Sequence, residues 1–126
     1  MLCHALVQQM HEAVIVVDRA GIVRLWNPGA EALFGYPASH MLNGTLEPII
    51  PERFRQAHNR GFERAIHSGD TRYHGQVMTT RAVHRDGSRL YVDLSFVLLR
   101  NGQGEVFGVC AVGRPGQKPQ PAAEPA

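Results

Sequence analysis

The chain has 126 residues, of which 44% are apolar and 19% charged, with a net charge of +2. That length suits one domain with one core, the composition excludes a disordered chain, and so small a basic excess does not argue for a nucleic-acid partner. No apolar run approaches the ~18 residues of a membrane span, and residues 1–10 lack the pattern of a signal peptide. Cys3 and Cys110 form neither a metal spacing nor a disulfide framework, so a cytoplasmic setting without a membrane partner is expected.

Leu2, Leu6 and Met10 recur every four residues and predict a short helix within residues 1–12, with a stripe too narrow to stand without a partner surface. Ala13 to Asp18 is a continuous apolar run that reads as a buried strand. Arg19-Ala20-Gly21 then turns the chain into a second strand, Ile22 to Trp26, completing a hairpin. Asn27-Pro28 has the form of a helix cap followed by a first-turn proline, and Gly35 ends that helix. Residues 37–50 read as short helical turns broken by Asn43-Gly44 and Pro48.

Pro51 opens the longest helix and Gly69 closes it. Phe54, Ala57, Phe62, Ala65 and Ile66 form one apolar stripe, with His58 and Gly61 inside it. Arg72 to Val83 is expected as a strand, followed by a turn at Arg85-Asp86-Gly87-Ser88. Leu90, Val92, Leu94, Phe96 and Leu98 then alternate strictly, as in a half-buried strand. A turn at 101–104 leads into a last strand from Val106 to Val112. The elements together predict an α+β domain over residues 13–114: a five-stranded antiparallel sheet with helices packed on one face. Residues 115–126 are Pro-rich and expected to be disordered.

Four positions draw attention on chemistry. His58, between Phe54 and Phe62, should face the sheet, where an imidazole needs a partner; a hydrogen-bonded core histidine or one at the stripe's wet edge satisfies the same pattern. Gln76 and Met78 share strand parity and should face one side. Cys110 has parity opposite to Val109 and Ala111, which allows it to face the interior beside Leu94 and Phe96, or to act as a small apolar filler. Tyr91, Val97 and Leu99 lie on the parity opposite to the core set and are expected to form an exposed, sticky sheet face. The chain has no G-x-S-x-G, no phosphate-binding glycine loop and no H-E-x-x-H, so no enzyme is indicated.

The phrase AVIVVDRAGIVRLWNPGAEALFGY resembles the first two strands and first helix of the PAS sensor family, and VHRDGSRLYVDLSF is similar to that family's later turn and fourth strand. The resemblance covers residues 5–113 and implies a signal-sensing or dimerisation domain rather than an enzyme. PERFRQAHNRGFERAIHSGDTR followed by RDG resembles the oxygen-sensing haem subgroup. That resemblance implies haem as cofactor, His58 as the iron ligand, Arg64 reaching a propionate, and Leu94 and Phe96 lining the gas side. Arg72, Tyr73 and His74 are weaker candidates for the pocket mouth. The subgroup often has an arginine on its third strand that hydrogen-bonds bound oxygen. Here Met78 stands at that position, with Gln76 two residues before it, and a thioether cannot donate that bond. Met78 could be a sixth ligand or line the wall.

The light-sensing flavin branch needs a cysteine in the short helices, and residues 37–50 contain none. Arg114 stands where a linker aspartate is common, and Pro115 opposes a following helix, so an output partner acting in trans is expected. Two functions follow from the resemblance: a haem-based gas or redox sensor, or an interaction module with an empty or metabolite-filled pocket. In either, a homodimer through the N-terminal helix or the outer sheet face is expected.

Overall fold

The computed structural model describes residues 1–70 and 75–118. In chain order it contains α1 (Leu2–Gln9), β1 (Ala13–Asp18), β2 (Val23–Trp26), α2 (Pro28–Phe34), α3 (Ala38–Met41), a 3-10 turn at Glu47–Ile49, α4 (Glu52–Ser68), β3 (Met78–Val83), β4 (Arg89–Arg100) and β5 (Val106–Pro115). The strands form one antiparallel sheet in the order β2-β1-β5-β4-β3, so the first strand lies beside the last.

The local signals act as their chemistry dictates. Asn27 Oδ1 accepts the Ala30 N–H at 2.9 Å and so caps α2, while Pro28 needs no partner in the first turn. Gly35 ends that helix at φ 82°, a left-handed conformation that a side chain resists. Gly69 does the same for α4 at φ 70°.

Residues directly opposite in an antiparallel pair share a face. The pairs Ile15–Ala111 and Ala111–Phe96, Val17–Val109 and Val109–Leu98, and Gly113–Leu94 and Leu94–Met78 therefore define the inner face. Ile15, Val17, Ala82 and Val92 on this face join Trp26, Phe34, Met41 and Ile49 in a buried cluster. Each fully buried side chain of this kind contributes about 1.5–3 kcal/mol.

Three strand expectations are corrected. β3 begins at Met78, not Arg72: Gly75 turns at φ 70°, and Gln76 and Val77 are exposed and outside the sheet. Residues 72–74 lie outside those described. β5 continues past Val112 to Pro115, opposite Val92, and Gly116 donates its N–H to the Tyr91 carbonyl at 2.7 Å. Pairing therefore runs past the expected strand end at Val112, and Pro115, which has no N–H to give, is the strand's last residue. Cys110 is paired with Val16 and Val97, which places it on the outer face, away from Leu94 and Phe96.

The outer face is also less open than expected. Val97 is 53% exposed, but Tyr91 and Leu99 are half-buried. Tyr91 lies under the Arg81 guanidinium, 5.9 Å from the ring centroid.

Candidate functional site between α4 and the sheet

α4 crosses the inner face with a stripe of Phe54, His58, Phe62 and Ile66, each four residues from the next and advancing about 40° around the axis. Exposure changes steadily along it. Ile66 is buried at 6%, Phe62 is half-buried, His58 is exposed, and Phe54 is 38% exposed. The helix is thus seated at its C-terminal end and stands away from the sheet toward its N-terminal end. Phe62 packs over the β1–β2 turn, its Cε1 3.8 Å from where a side chain on Gly21 would begin. Arg100 of β4 holds the seated end by donating to the carbonyls of Gly69 and Gly104.

Opposite the open half lie Met78, Leu94, Phe96, Leu98 and Ala111, all on the inner face and all half-buried. Phe96, Leu98 and Met78 stay outside the buried cluster that closes the rest of that face. The result is an apolar wall facing a helix that does not cover it fully.

His58 is accessible by surface area, yet enough protein surrounds it that desolvation holds its pKa below the ordinary histidine value. A side-chain hydrogen bond with Asn59 acts in the opposite direction. The shift favours the neutral imidazole.

Met78, Leu94 and Phe96 share the inner face of the sheet, and His58 lies on the stripe of α4 that carries Phe62 and Ile66. Gln76 and Arg64 do not join either group. Gln76 is exposed in the irregular approach to β3. Arg64 is exposed about 120° around the axis from His58, where it lines a hollow of about 310 Å³ with Arg60, Glu63 and His67. A second hollow, of about 280 Å³, lies among Glu12, Val77, Asp93, Ser95, Val112, Gly113 and Arg114. His58 lines neither.

Sequence reasoning missed Ala111 as part of the wall, because only strand pairing sets it beside Phe96. It also missed Arg100, whose role depends on a contact across 31 residues. No group of three or more metal-ligating side chains occurs among the described residues. Haem asks less of a protein, a single imidazole and an apolar slot; His58 has the donor type and Met78, Leu94 and Phe96 the polarity, while neither described hollow is lined by His58.

The fold is that of a PAS domain. The chain matches the PAS fold family over residues 2–116 and belongs to it. It is 25% identical over 108 residues to the oxygen sensor protein DosP of Escherichia coli, covering 86% of this chain and 13% of DosP. It is 28% identical over 96 residues to the sensor protein FixL of Bradyrhizobium diazoefficiens, covering 76% of this chain and 19% of FixL. The chain thus spans less than a fifth of the length of these relatives. Among solved structures, the PAS domain of a Colwellia psychrerythraea protein superposes with a TM-score of 0.77 at 17% identity, covering 90% of this chain and 93% of that one. An RNA-binding light-oxygen-voltage receptor superposes at 0.75 with 21% identity, covering 90% and 32%. No described helix is long and apolar enough to cross a membrane.

Proposed function

We propose that this PAS domain is a haem-based gas or redox sensor with His58 as the axial ligand. The observation that carries the reading is the position of His58. It is an accessible imidazole whose neutral form is favoured, on the stripe of α4 that carries Phe62 and Ile66, and the inner face of the sheet holds the half-buried Met78, Leu94 and Phe96. The similarity to two sensor proteins, one of them named as an oxygen sensor, supports it.

Haem, when bound, would supply an iron able to take up a gas or change oxidation state. The chain's own residues do the rest. His58 presents a nitrogen lone pair without first losing a proton. Leu94 and Phe96 exclude water from the opposite side. Met78 would offer the bound group a thioether, which cannot donate a hydrogen bond. α4, seated at Ile66 and Arg100, converts a change at His58 into a change of helix tilt, a shift between two populated states. The exposed Leu2 and Leu6 of α1 offer the surface through which two copies would pair.

The test is the visible absorption spectrum of chain produced with ample haem, beside a His58→Ala variant. The expected result is a strong Soret band in the wild type that is lost in the variant. A wild type still colourless after haem reconstitution would overturn the reading.

A further inference from the structure

α4 carries a second surface, on its opposite side. Arg53, Arg60, Arg64 and His67 lie within about 60° of one another around the helix axis and span about 21 Å along it. All four are exposed. Glu63 is the acidic residue among them, on the rim of the hollow lined by Arg60, Arg64 and His67. Arg55, turned toward the sheet, is engaged with the Ile50 carbonyl at 3.1 Å. Arg60 and Arg64, by contrast, have no ion-pair partner among the described residues.

Two arginines four residues apart repel and destabilise an isolated helix by a few tenths of a kcal/mol. Their planar forks suit carboxylates better than lysines would. All but one of the chain's thirteen basic residues are arginines.

We propose that this face of α4 docks an acidic helical segment of a partner protein, carrying two carboxylates one helical turn apart to meet Arg60 and Arg64. Glu63 decides between a protein and a nucleic acid. A phosphate backbone would set a negative charge against Glu63, which lines the hollow beside the arginines. A protein helix can face Glu63 with a lysine and the arginines with glutamates. The stripe also lacks an aromatic platform for stacking bases. The surface does not include His58, and docking there does not depend on haem.

The probe is a labelled helical peptide of about 14 residues, long enough to match the stripe. It bears glutamates at i and i+4 with a lysine between them, and its binding to the full chain is followed by fluorescence anisotropy at physiological salt. A peptide of the same composition with its glutamates two residues apart serves as the control, with a single-stranded oligonucleotide of equal charge as competitor. The paired-glutamate peptide should bind more tightly than the control, and Arg60→Glu with Arg64→Glu should weaken it by about tenfold or more. Arg60→Gln with Arg64→Gln, which keeps length and adds no charge, should weaken it less but measurably. Equal binding of both peptides, tighter binding of the oligonucleotide, or undiminished affinity in the glutamine variant would each overturn the proposal.

Discussion

Asn27 donates from Nδ2 to the Val7 carbonyl at 2.9 Å, joining the flanking helix to the first turn of α2 through a fully buried side chain. The same amide donates to the Glu12 carbonyl at 3.0 Å, while Oδ1 accepts from Val14 at 2.7 Å and from Ala30 at 2.9 Å. Three segments therefore share one residue. Asn27→Ala removes a helix cap and strands buried backbone groups, and should cost about 2–4 kcal/mol in urea unfolding. Asn27→Asp keeps the acceptor but turns an anion toward two carbonyls. It should release α1 selectively, seen as faster amide exchange at 5–10 than in β1.

Two glycines in helices should respond in opposite directions. A Cβ on Gly29 would stand 2.1 Å from the Glu12 carbonyl oxygen, a backbone atom that cannot move aside, whereas a Cβ on Gly61 meets nothing within 4 Å. Gly29→Ala should destabilise the fold by about 3 kcal/mol or more. Gly61→Ala, in the middle of α4, should stabilise it by up to about 1 kcal/mol. Thermal melts of the two variants check both.

Because His58 is exposed, His58→Ala should change the stability of the ligand-free chain by no more than about 0.5 kcal/mol. A hydrogen-bonded core histidine would cost about 1–3 kcal/mol. The denaturation midpoint thus tests whether His58 is a structural core residue, independently of colour.

Asp18 Oδ1 accepts the N–H groups of Ile22 and Ala20, and Oδ2 accepts from Arg24 at 2.8 Å. These bonds, the Ile22 amide foremost, hold its pKa below the ordinary aspartate range against a smaller effect of burial. A carboxyl with a depressed folded-state pKa stabilises the fold above its unfolded pKa, about 3.9, and loses that contribution as pH falls further. Wild type should exceed Asp18→Asn in stability at neutral pH, and the gap should narrow below about pH 4.

Much of this fold is written in short-range chemistry. Asn27-Pro28 and Gly35 delimit α2, Pro51 and Gly69 delimit α4, and the alternation from Leu90 to Leu98 marks β4, because each signal acts within a few residues. Cys110 shows where such reading ends. The parity of one strand separates two faces without saying which is inner, and only pairing with Val16 and Val97 decides it. Pro115 shows a different limit. A proline forbids a donor, not an extended backbone, so β5 runs through it. Around the candidate site, periodicity set His58 on one stripe with Phe62 and Ile66 but could not foresee its exposure. That depends on the tilt of α4 against the sheet, which no local pattern encodes.

Arg100 reaches two carbonyls, that of Gly69 at the end of α4 and that of Gly104 in the turn before β5. One side chain is thus a shared fastener for a helix end and a hairpin turn. Arg100→Ala should free both together, read as faster amide exchange around Gly69 and Gly104, while the buried Ile66 keeps the helix seated.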